Sequence, residues 1–135
     1  MSYGFNDNKS KATMTKATYT GVNTEGAGWN VTSGTSYILD SFNLPGTGTY
    51  IITARLKFTG RSGGTRRIYL TANAGADSWQ NQCEGTGTDF ISATIIHKCT
   101  NVNTNGTIYI KGFQNSGATL TVNISDVKYV RLYED

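Results

Sequence analysis

The chain has 135 residues, of which 16% are charged, and a net charge of +3. That length suits a single domain burying roughly two thirds of its unfolded surface, so a core forms without a metal or disulfide staple. The sparse, scattered charge excludes the dense basic footprint of a nucleic-acid binder, and no apolar window approaches the roughly 20 residues of a membrane span.

In chain order, residues 1–12, "MSYGFNDNKSKA", are polar and unpatterned and read as a linker or attachment segment. The head domain then runs over 13–135. Strand-like runs rich in β-branched and aromatic residues follow at 13–20, 29–32, 35–42, 49–59, 67–73, 90–98, 107–112, 119–124 and 128–133. Turn clusters such as "NTEGAG", "LPGTG", "GRSGG" and "QNSG" separate them. No stretch of ten residues keeps a period near 3.6, so almost no helix is expected. Many antiparallel strands in so short a chain must form a sandwich or a barrel.

Strict alternation sorts the faces. Tyr50, Ile52, Ala54, Leu56 and Phe58 point to the core, with Ile68, Leu70, Ala72, Ile108, Ile110, Leu120, Val122, Ile124, Val130 and Leu132. The opposite faces are unusual on three strands. Tyr109, Lys111 and Phe113, then Tyr129, Arg131 and Tyr133, then Ile51 beside Arg55, mix rings or aliphatics with cations where water is expected. If these strands are neighbours in one sheet, its second face needs a cover, and another protein chain is the natural one.

No constellation for chemistry stands out. His97, the sole histidine, sits in the strand "ATIIHK" with no second histidine or metal-spaced cysteine set. The carboxylates Asp40, Asp77, Glu84, Asp89 and Asp126 are scattered on loops and corners; a glycosidase needs two facing each other across a cleft, and a pair such as Asp77 with Glu84 stays open by spacing. No enzyme, metal or cofactor is expected. Cys99 ends an apolar run and Cys83 lies in a polar loop; a bridge between them stays open.

The loop at 72–89, "ANAGADSWQNQCEGTGTD", has the composition of a carbohydrate contact, a Trp79 ring beside the amides of Gln80, Asn81 and Gln82. Trp29 is either a second platform or a core residue. The "RSGGTRR" stretch reads chiefly as a solvated loop, and Arg61 and Arg66 join the candidate ligand residues as its cations.

The order of motifs resembles a family. "DSFNLPGTGTY" (40–50) leads into a long alternating strand, "RRIYLTANA" follows, then "TDFISATIIHKCTNVNTNGTIYIKGFQNSGATLTV", and the chain closes on "KYVRLYE". This is similar to the jelly-roll heads of the complement and tumour-necrosis-factor superfamily, in the version at the C-terminal tips of bacteriophage tail fibres and baseplate receptor-binding proteins. The likeness covers roughly residues 28–135.

It implies an all-β jelly-roll sandwich of about ten antiparallel strands in two sheets, assembled as a homotrimer. The trimer contacts it implies are Ile51, Arg55, Tyr109, Phe113, Tyr129, Arg131 and Tyr133, on one inner sheet made by the long middle strand, the strand before "QNSG" and the last strand. The expected function is a non-catalytic adhesion head, on the virion or extracellular, carried by an N-terminal fibre shaft or stalk and recognising a bacterial surface saccharide. A monomeric carbohydrate-binding module of a secreted enzyme, and a purely structural trimerisation knob, are the competing expectations.

Overall fold

The computed structural model describes residues 20–21, 26–59, 63–76, 81–84 and 90–133; the expected attachment segment, 1–12, lies outside them. The described residues form β1 (Thr20–Gly21), β2 (Gly26–Val31), β3 (Thr35–Asn43), β4 (Gly48–Thr59), β5 (Thr65–Thr71), β6 (Asn81–Glu84), β7 (Ile91–Cys99), the single-turn helix α1 (Val102–Asn105), β8 (Thr107–Gln114) and β9 (Leu120–Tyr133).

Two antiparallel sheets result. In the five-stranded sheet β9 pairs with β4, β4 with β7, and both β1 and β2 pair with the other side of β9. The four-stranded sheet runs β3-β8-β5-β6. From β2 onward the chain changes sheet at every connection except the one from β5 to β6, which pair directly. This is the winding of a jelly roll, and the chain folds as an all-β jelly-roll sandwich.

Between the sheets the core follows the alternation. Along β4 the residues Tyr50, Ile52, Ala54, Leu56 and Phe58 are buried, while Ile51, Thr53, Arg55 and Lys57 are half-buried on the other face. Ile68 and Leu70 of β5, Ile108 and Ile110 of β8, and Leu120, Val122 and Ile124 of β9 meet them. At Gly112 the sheets approach so closely that a Cβ would lie 3.0 Å from Leu39 Cδ1 and 3.3 Å from Leu56 Cδ1. Gln114, fully buried, stitches one end: its Nε2 donates to the Val31 carbonyl at 2.8 Å and to the Ala118 carbonyl, and its Oε1 accepts from Ser116 N at 2.7 Å. The QNSG corner is therefore tied to β2 of the opposite sheet.

Three expectations need correction. First, 119–124 and 128–133 are one strand, and a bulge joins them. Arg55 pairs with Ser125 and Thr53 with Lys128, so β9 carries one residue more than β4 across this interval. Asp126 absorbs it at φ 52°, a left-handed conformation that Asp tolerates better than most residues.

The extra residue inverts the alternation beyond it. Tyr129 and Arg131 turn inward, opposite Ile52 and Tyr50, and Tyr129 stacks on Phe42 at 6.0 Å and meets Tyr50 edge-on at 5.7 Å. The guanidinium of Arg131 lies 5.8 Å from the Tyr50 ring centre and donates to the Thr47 carbonyl. Val130 is buried, but beside Ile51 on the outer side of the sheet. Tyr129 and Arg131 thus belong to the core side rather than to an outward surface; Tyr133 ends β9.

Second, Tyr109 and Phe113 do face away from the core, but β8 sits in the four-stranded sheet, whereas Ile51 and Arg55 are on the five-stranded one. One shared inner sheet does not exist. Alternation fixes which face of a strand is buried and is silent on which sheet the strand joins. Third, part of the 72–89 loop is the strand β6.

Candidate ligand-binding face

The outer face of the four-stranded sheet is built row by row from register. Ser36 of β3, Phe113 of β8, Arg67 of β5 and Gln82 of β6 are successive cross-strand partners. The next row is Ile38, Lys111 and Tyr69, and the third is Ser41, Tyr109 and Thr71. Rows on one face repeat about every 7 Å, twice the rise per residue of a strand.

Tyr109, Phe113 and Arg67 are half-buried, and the Arg67 guanidinium lies 5.2 Å from the Phe113 ring centre. That is cation–π range, in which ring and cation hold each other at the surface. Ile38 is exposed beside them. The hydroxyl residues Ser36, Ser41 and Thr71 flank the rings on β3 and β5. Apolar ring area bordered by hydroxyls and a guanidinium is chemistry suited to a polyhydroxylated ligand.

Two of the three residues of the middle row are covered. Lys111 and Tyr69 are nearly inaccessible. Lys111 Nζ donates to the Ala74 carbonyl at 3.1 Å and the Ala76 carbonyl at 2.8 Å, and lies 5.8 Å from the Tyr69 ring centre. The turn it holds is tied internally: Asn73 Oδ1 accepts from Gly75 N at 2.9 Å, and the Asn73 carbonyl accepts from Ala76 N at 3.0 Å.

The candidate ligand residues are distributed unevenly. Asn81 and Gln82 lie in β6, opposite Ile68 and Arg67, at the edge of this same sheet. Trp79, Gln80 and Arg61 lie outside the described residues. Arg66 is 1% exposed, on the core side of β5 with Ile68 and Leu70, and its Nη1 donates to the Gly63 carbonyl at 2.9 Å. It organises the loop before β5 and presents nothing to a ligand. Its even phase with Ile68 and Leu70 already carried that signal. Arg67 and Tyr69, which the sequence reading passed over, were legible in the odd phase of the same strand.

The opposite outer face, on the five-stranded sheet, is of another kind. Ile96, Ile51 and Val130 form an apolar row across β7, β4 and β9, and Ile96 is 75% exposed. Arg55 pairs with Asp126 at 2.7 Å and lies over the Phe90 ring at 4.2 Å, where Lys57 approaches at 5.5 Å. Trp29 pairs through its backbone with Val122 in β2. Cys99 is a buried free thiol, so no bridge to Cys83 forms. His97 shares a 2.7 Å hydrogen bond between Nε2 and the Asn105 carbonyl, which makes Nε2 the donor. No group of three His, Cys, Asp or Glu residues gathers among the described residues, and no helix among them is long and apolar enough to cross a membrane.

No family model and no curated protein matches the chain. Solved structures show distant likenesses. Vertex protein P5 of PRD1 aligns at 14% identity over 85% of this chain and 94% of that one, with a TM-score of 0.48. A structure described as "CBM4 structure and function" aligns at 11% identity over 79% of this chain and 83% of that one, with a TM-score of 0.45. The Clostridium thermocellum N-terminal endo-1,4-beta-D-xylanase 10B, with its CBM22-1 and GH10 modules complexed with xylohexaose, aligns at 16% identity and a TM-score of 0.46 over 87% of this chain and 25% of that one.

Proposed function

We propose that this jelly roll is a non-catalytic adhesion domain that binds a bacterial surface saccharide on the outer face of its four-stranded sheet. The observation that carries the reading is the water-facing side of β8, where Tyr109 and Phe113 interleave with Arg67 of β5 and with Ser and Thr hydroxyls. The rings supply apolar area for sugar C–H groups, and the guanidinium and hydroxyls supply donors and acceptors for sugar hydroxyls. Gln82, the register partner of Arg67, continues this row onto β6.

The test is an array of bacterial surface polysaccharides followed by titration calorimetry on the strongest binder. Phe113→Ala and Arg67→Ala should each weaken binding about tenfold, near 1.4 kcal/mol. Trp79→Ala probes the neighbouring segment. No wild-type signal on the array, or undiminished affinity in both sheet variants, removes the assignment.

A homotrimeric receptor-binding head, as at the tip of a phage tail fibre on the virion or outside the cell, is supported by a second observation. In the Ile96–Ile51–Val130 row on the five-stranded sheet, away from the proposed sugar face, Ile96 is largely exposed and Ile51 half-buried, while Val130 is buried. In that assembly sister subunits cover this row, and a fibre shaft precedes the domain. Three weak sites then act together with avidity well beyond one. Sedimentation of the purified domain as a monomer at micromolar concentration would leave the saccharide reading standing and remove the trimer.

A further inference from the structure

We propose that the saccharide taken by this face is an extended chain lying along β3 and β8, held at the Phe113 row and the Tyr109 row and crossing between them over Ile38. The inference rests on the saccharide-binding reading above and adds the form of the ligand, with Ile38 and Ser41 as further contact residues.

Tyr109 and Phe113 stand on either side of Lys111 on one face of β8, about 13 Å apart along the strand. A single sugar ring is too short to touch both, whereas a short oligosaccharide is not. The ground between them is only partly open. Of the middle row, Lys111 is 5% and Tyr69 3% exposed, while Ile38 is 49% exposed.

What lies over Lys111 is the turn after β5, and it is pinned at both ends. Lys111 Nζ donates to the Ala74 and Ala76 carbonyls, and Thr71 Oγ1 accepts from Asn73 N at 3.1 Å. A chain joining the two rows therefore passes on the β3 side, and β3 is the end strand of the described sheet there.

The register of β3 serves this path. From Ile38 to Ser41 it carries one residue more than β8 does from Lys111 to Tyr109. This bulge brings Ile38 and Ser41 to the same outer face, where unbroken alternation would turn one of them inward. Ser41 is exposed beside Tyr109, and its hydroxyl serves the row in which that of Thr71 is engaged by the turn. Ile38 has no polar atom beyond its backbone and offers only apolar contact. The outer units of the chain thus meet a ring and polar groups, and the unit between them meets an aliphatic surface through its C–H face.

The test uses the full chain and fragments of graded length, cut by partial hydrolysis from the polysaccharide that wild type binds most tightly on the array and titrated by calorimetry. Affinity should rise about a hundredfold from the shortest fragments to those that reach both rows, then level off. Ile38→Ser, at an exposed strand position, should weaken the long fragments about tenfold and leave the short ones, held at one row, unchanged. Tyr109→Ala should remove most of the gain with length. A merely structural role for Ile38 would weaken all fragments alike. Affinity independent of length, a gain with length that survives Tyr109→Ala, or an Ile38→Ser loss that is absent or equal for short and long fragments overturns the path along β3 alone. Absence of wild-type binding to every polysaccharide overturns the saccharide reading together with it.

Discussion

The two outer faces of this sandwich use the same ingredients and hold them differently. On the five-stranded sheet Arg55 is neutralised by a neighbouring acid, Asp126, and lies on the exposed Phe90 ring, next to an apolar row ending in the largely exposed Ile96. On the four-stranded sheet the Lys111 ammonium donates to the Ala74 and Ala76 carbonyls of a turn outside the sheet and lies near the Tyr69 ring. The first leaves aliphatic and ring area uncovered at Ile96 and Phe90. The second has relief, a raised turn beside a row of rings, suited to a polar ligand. Cations near rings mark both; Arg55 meets an acid of its own sheet, and Lys111 meets backbone carbonyls of a turn.

The largest expected effect comes from breaking the stitch common to both sheets. Gln114→Leu leaves the Val31 and Ala118 carbonyls and Ser116 N without their side-chain partner, and should cost roughly 3 kcal/mol, read as a shifted urea midpoint. Both faces should then fail together; a loss confined to one would show that the sheets hold their shape independently.

Charging the outer face of the five-stranded sheet should separate the two. Ile51→Glu with Ile96→Glu is expected to abolish self-association in sedimentation while leaving the intrinsic affinity of each domain for polysaccharide unchanged. A simultaneous loss of intrinsic affinity would mean the two faces form one site.

A smaller effect is expected at the bulge. Asp126→Asn keeps a side chain tolerant of φ 52° and removes the ion pair with Arg55, both partners being well exposed, so destabilisation should stay below about 1 kcal/mol and shrink with added salt. A loss of several kcal/mol would show that the ion pair, not the backbone, sets the phase of β9.

The smallest and most local effect lies at the core end. Burial pushes the Tyr50 phenol above its ordinary pKa near 10, although the Arg131 guanidinium pulls the other way. The folded state therefore holds this proton more tightly than the unfolded chain, and the associated stability is intact below pH 10 and declines as pH rises beyond it. Tyr50→Phe should flatten the fall in denaturant midpoint between pH 9 and 11; an unchanged slope would assign the alkaline loss to other groups.

Much of the face-by-face pattern was written in the chain. The period of two along 49–59 and through β5 and β8 marks Tyr50 to Phe58 as core and Tyr109 and Phe113 as outward, because side-chain direction in a strand is a local property of the backbone. Even the burial of Arg66 and the outward direction of Arg67 follow from their phase with Ile68 and Leu70. The all-β class follows likewise from turn punctuation and the lack of helical period.

Tertiary structure decided the rest. Which sheet receives β8, and so whether Tyr109 and Ile51 share a surface, depends on pairings between residues far apart in the chain, which no local period encodes. The single extra residue at Asp126 shows its effect only against β4, where it turns Tyr129 and Arg131 from the solvent side to the core. Lys111 reads as a wet lysine in sequence and becomes a buried clamp because a turn more than 30 residues earlier folds across it.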